Sequence, residues 1–134
     1  DNSLPVSLHV YKAHNELIAM LKRFDVTGVI HGLGTSLQVA NSYLDLGFKI
    51  GVNAVLVNEN AHRYHQMLQT LSINSFVLET DAPNVLLSGH KTSSLKDIYQ
   101  VISKISSLTG LTEPQVVQIT SETAQSIFNF EENL

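Results

Sequence analysis

Four short apolar runs alternate with segments whose apolar residues recur at helical spacing, and few patterns restrict a fold so strongly. The runs are "PVSLHV" (5–10), "TGVIHG" (27–32), a stretch within "FKIGVNAVLV" (48–57), and "SFVLET" (75–80). Between them, "AHNELIAMLKRF" (13–24) places Ala13, Leu17, Met20, Leu21 and Phe24 on one predicted helical face. "SLQVANSYLDLG" (36–47) begins with Ser36 as an N-cap candidate and ends with Gly47 as a C-cap candidate. "NENAHRYHQMLQTL" (58–71) puts Ala61, Tyr64, Leu68 and Leu71 on one stripe. Two helical segments close the chain. One carries Leu95, Ile98, Ile102, Ile105 and Leu108 before Gly110, and the other opens with Thr112 and Gln115 in capping-box positions and packs Ala124, Ile127 and Phe128. The order βαβαβαβα predicts an α/β fold with a parallel sheet and right-handed crossovers. Two architectures satisfy it: a small doubly wound, flavodoxin-like sheet and part of a (β/α)₈ barrel. A full barrel takes about 250 residues, or ~31 per unit, so four units need about 125. The 134 residues of this chain fit either.

The composition narrows the function classes. Hydrophobic residues make up 43% and charged residues 15%, which is globular rather than disordered. The formal net charge is -4 with no basic run, so charge alone points neither to nucleic acid nor to an anionic membrane. With no cysteine, disulfides and thiolate metal sites are excluded. No apolar stretch reaches the roughly 18 residues that span a bilayer, and the polar start "DNSLPVS" is unlike a signal peptide. The expectation is a cytoplasmic location and no membrane partner. A start at Asp1 rather than Met is expected of a trimmed or excised piece.

The chemistry-bearing residues cluster by position. His9, His31 and Asp81 fall near the C-terminal ends of predicted parallel strands, the edge where both architectures build their sites. Two imidazoles and a carboxylate are a workable ligand set for a divalent metal, which polarises a phosphoryl oxygen and acidifies a bound water. Asp81 is also placed to orient that water or take its proton. Glu79 stands two residues before Asp81 and so on the same strand face, where it can support that carboxylate or a ligand histidine, or be a buried structural carboxylate with a basic or hydroxyl partner. The bland readings are a hydrogen-bonded structural histidine at each strand end and an Asx-turn in "TDAP". His14, His62 and His65 lie on predicted helices and are expected at the surface. "HGLGTS" (31–36) lacks both the dinucleotide fingerprint and the P-loop lysine. The longest irregular piece is 82–94, "APNVLLSGHKTSS".

"LPVSLHVYKAHNEL", "GVIHGLGTSLQVANSYLDLGFKIGV", "FVLETDAP" and "TSETAQSIFNF" resemble, in order, the later part of the TatD family, from about Leu4 to Phe130. These are metal-dependent deoxyribonucleases among the amidohydrolase-like (β/α)₈ barrels. The resemblance implies that residues 1–134 form a single C-terminal half-barrel, strands five to eight of the eight. It implies hydrolysis of DNA phosphodiesters, including trimming from the 3′ end, with Mg²⁺, or Zn²⁺ or Mn²⁺ in its place. It makes His9, His31 and Asp81 metal ligands, with Asp81 also catalytic. The family's His-x-His pair and bridging Glu have no counterpart in this chain, and Tyr11 stands where the family usually has Arg. "HGLGTS" replaces an "HGFSGS"-like string, and "KTSSLKD" replaces an Asn-x-Pro-type segment. This chain alone is therefore expected to be inactive, and to self-associate or pair with an N-terminal half. The competing expectation is a non-enzymatic half-barrel serving oligomerisation or binding.

Overall fold

The computed structural model describes residues 4–129. Phe130, the last residue of the resembling segment, lies outside them. Four strands, β1 (Val6–Leu8), β2 (Gly28–Ile30), β3 (Lys49–Val52) and β4 (Phe76–Leu78), form one sheet in the order β1-β2-β3-β4 with every pair parallel. The helices are α1 (His14–Leu21), α2 (Leu37–Asp45), α3 (His62–Thr70), α4 (Ile98–Thr109) and α5 (Glu113–Phe128). Strand order follows chain order without reversal. A doubly wound sheet reverses at a switch point. A barrel does not, because right-handed crossovers laid in one direction put all their helices on one face. The order therefore settles between the two predicted architectures in favour of a barrel segment.

The register shows how the sequence divides between the faces. Ile30, Ile50 and Phe76 lie side by side across β2, β3 and β4, and all are fully buried. They join Tyr43 of α2, Met67 of α3 and Ile105 of α4 in the main core, against which Val6, Leu8 and Leu78 pack. Alternation along each strand sends Ser7, Val29, Gly51 and Val77 to the opposite, concave side. Val29 and Val77 are nonetheless buried. With Ser7 and Glu79 they line a cavity of about 280 Å³ whose other wall is Ala124 and Phe128 of α5. The last helix thus spans from the outer layer to the hollow of the sheet.

Capping follows the sequence closely. Ser36 accepts the Val39 amide at the start of α2, and Thr112 with Gln115 forms the reciprocal box at the start of α5. Leu46 rather than Gly47 is the cap residue of α2; Gly47 follows with φ of 85°. Three apolar assignments differ from expectation. Met20, Phe24 and Leu95 are exposed: Met20 lies within α1 but on its solvent side, Phe24 falls beyond the end of α1 at Leu21, and a separate 3₁₀ turn, Leu95–Asp97, precedes α4. That turn is fixed by a second box, in which Ser94 caps Lys96 and the Asp97 carboxylate accepts the Ser94 amide.

Candidate metal centre

Each of the four strands is followed immediately by a polar residue: His9 after β1, His31 after β2, Asn53 after β3 and Glu79 after β4. These lie at the C-terminal edge of the sheet, continuing the concave face. Asp81 comes two residues beyond Glu79. The carboxylate of Glu79 is the organising group. Its Oε1 accepts the Gly32 amide at 2.7 Å and meets His31 Nδ1 at 2.8 Å. To reach β2 from β4 the side chain must cross β3, and it crosses at Gly51. A Cβ at Gly51 would overlap the Glu79 carboxylate, so the missing side chain is the passage. Tyr64, buried on α3, donates to the Gly51 carbonyl at 3.4 Å beneath this crossing. Burial, and then the Glu79 charge, push its phenol well above the ordinary range.

The Glu79 contact fixes what His31 presents. Nδ1–H donates to the carboxylate, so in the neutral ring Nε2 carries the lone pair. That lone pair faces Asp81 Oδ1 at 3.7 Å. The gap is too wide for a hydrogen bond. It suits two ligands of one cation, because donors each about 2.1 Å from a shared ion stand about 3–4 Å apart. The ring of His9 stands beyond, its centroid 5.8 Å from that of His31. The structure therefore brings together the three residues singled out in the sequence. His31 and Asp81 fit a divalent ion in donor type and in spacing, with His9 exposed at the rim. Among the described residues, no three His, Asp or Glu side chains close into a complete ligand cluster.

The remaining histidines are not all surface residues as expected. His65 Nε2 is 3.0 Å from the Leu56 carbonyl, and His14 Nδ1 is 3.1 Å from the Tyr43 hydroxyl. Both rings are half-buried and within hydrogen-bond distance of a backbone or phenol oxygen, which is a structural role. His62 is exposed, as the sequence suggested. Asn53 and Gly51 were missed in the sequence. Asn53 is buried, its Oδ1 accepts the Val55 amide at 3.1 Å, and its Nδ2 lies beside Gly32. The available signal was the regular recurrence of one polar residue after every strand.

A family model described as TatD related DNase matches residues 1–129. This chain belongs to the TatD family. The TatD-family chain is 42% identical over 88 residues to the uncharacterized metal-dependent hydrolase YjjV of Escherichia coli strain K12, a match covering 64% of this chain and 34% of that protein. An uncharacterized metal-dependent hydrolase of Haemophilus influenzae is 37% identical over 89 residues, covering 65% of this chain and 34% of the relative. The crystal structure of the Escherichia coli TatD homolog YjjV superposes with a TM-score of 0.88 at 30% identity, covering 96% of this chain and 51% of that one. The TatD-family chain thus spans about half the length of the solved structure that it matches.

Proposed function

We propose that this chain is the C-terminal half, strands five to eight, of a (β/α)₈ hydrolase that cleaves phosphodiester bonds of DNA with a divalent metal, acting from the 3′ end. The observation that carries this reading is the Glu79–His31–Asp81 array, in which one carboxylate orients the imidazole and the other faces its free nitrogen. His31, Asp81 and His9 would hold the ion, Mg²⁺ first, with further ligands coming from the rest of the barrel. The ion supplies Lewis acidity toward a phosphoryl oxygen and a water acidic enough to attack at neutral pH. Asp81, partly exposed at the edge, would be the carboxylate placed to orient a water there or to take up its proton. Glu79 does no bond-making; it keeps the proton of His31 on Nδ1 so that Nε2 stays a ligand.

Calorimetric titration with Mg²⁺, Mn²⁺ and Zn²⁺ tests this. Weak divalent binding that disappears in His31→Ala and Asp81→Asn is expected, as is little or no nuclease activity from the isolated chain. Metal-dependent degradation of single-stranded DNA by the longer protein, lost in Asp81→Asn, completes the test; no metal binding by either would sink it. The absence of a closed ligand cluster among the described residues favours a second reading, a non-enzymatic half-barrel that assembles without metal. Oligomers whose mass is indifferent to chelator would support that alternative.

A further inference from the structure

Beside the candidate centre lies an open cleft of about 540 Å³, within the size range of small-ligand sites. Its walls include Gly32, Gly34, Asn60, His62, Arg63 and Tyr64. Gly32 joins it directly to the metal-centre residues, being next in sequence to His31 and donating to Glu79. Among the described residues no Asp or Glu lines the cleft, although the chain as a whole holds 12 acidic residues against 8 basic ones. The acid nearest in sequence, Glu59, is occupied elsewhere: its Oε1 accepts from Lys104 Nζ at 2.7 Å. Arg63 is exposed and makes no ion pair among the described residues. His62 is exposed beside it, its ring meeting His65 edge-on at 6.5 Å. Gly34 has no side chain to block approach, and one there would press on the Tyr64 ring.

A guanidinium with no ion pair among the described residues, at the rim of a cleft that no described acid lines, is built for an anion. Its planar fork matches phosphate oxygens two at a time, which a lysine cannot do. We propose that this cleft is a phosphate subsite, in which Arg63, with His62 beside it, holds a phosphodiester group of a single-stranded nucleic acid next to the one at the metal centre. This rests on the proposed hydrolase reading and gives that site a substrate-positioning residue. Arg63 touches no reacting atom in this scheme; it sets where the strand lies.

The test is fluorescence anisotropy of the full chain with a labelled oligothymidylate in low salt and EDTA, where no metal-centre chemistry contributes. Arg63→Ala is expected to weaken binding about tenfold and to lower the log–log salt slope by about 0.7, the value for one phosphate of a single strand. Arg63→Lys should recover part of the affinity and the whole slope. Arg23→Ala removes the same charge from the end of α1 and should change nothing. No oligonucleotide binding, an unchanged Arg63→Ala, or an equal loss in Arg23→Ala would overturn the subsite. So would inorganic phosphate competing as tightly as the oligonucleotide. Manganese calorimetry keeps the two readings apart. An Arg63 effect without metal binding by this chain or by the longer protein supports the subsite and sinks the metal centre, while metal binding without an Arg63 effect sinks the subsite alone.

Discussion

Glu79 does at the level of one residue what the sequence could only suggest. It reaches past its own strand neighbour to bind together the imidazole and the amide that follow β2. Glu79→Gln keeps the shape but replaces a charged acceptor by a neutral one. Metal affinity should fall about 10- to 100-fold, the usual cost of losing an outer partner of a ligating histidine, measured by the same calorimetry. Gly51→Ala should do comparable damage without altering any polar group of the chain. Its methyl group displaces the end of the Glu79 side chain, and losing the contacts made there to the Gly32 amide and His31 costs about 1–3 kcal/mol in chemical denaturation. Unchanged stability and unchanged metal binding in Gly51→Ala would refute the passage. The pair Glu79 and Asp81 was legible because period-2 alternation puts both on one face. Gly51 was not legible, since a glycine in a strand says only that something approaches closely, not what.

Elements were legible where local chemistry decides them and less so where tertiary context does. Thr112 and Gln115 announce α5 by themselves, because both groups of the box lie within one turn. Thr112→Ala should lower stability by about 1 kcal/mol, read from the urea midpoint. The turn before α4 was not anticipated, and Leu95 consequently points outward. It depends on Asp97, whose carboxyl is held below its ordinary value chiefly by the Ser94 amide, with help from the Ser93 hydroxyl and against the effect of partial burial. A carboxylate depressed in the folded state stabilises above its unfolded pKa, about 3.9, and that contribution is lost as pH falls toward the folded value. Thermal melts should therefore show Asp97→Asn less stable than wild type at pH 7, with the difference shrinking below about pH 4. A difference that persists to pH 2 would contradict the assignment. Phe24 shows the limit of periodicity: helical spacing marks a stripe but does not say where the helix stops.

At the scale of the molecule, four parallel strands in chain order make an arc rather than a closed wall. Among the described residues β1 and β4 each pair on one side only, and open edges of this kind recruit other strands. Light scattering on the isolated chain should show a mass above one chain that rises with concentration; a single-chain mass at every concentration would argue that α5 suffices to close the hollow. Barrel against open sheet could not be decided from spacing, because both use the same βα units and differ only in the direction in which the units are laid. The bridge from Glu79 over Gly51 to His31 has one more consequence. It holds only if β2, β3 and β4 are aligned to the residue, since a slip by one would turn Gly51 or Glu79 to the other face. The Nδ1 proton of His31 is thus a gauge of sheet assembly, and its slowed exchange with water during refolding would date the moment at which three strands find their alignment.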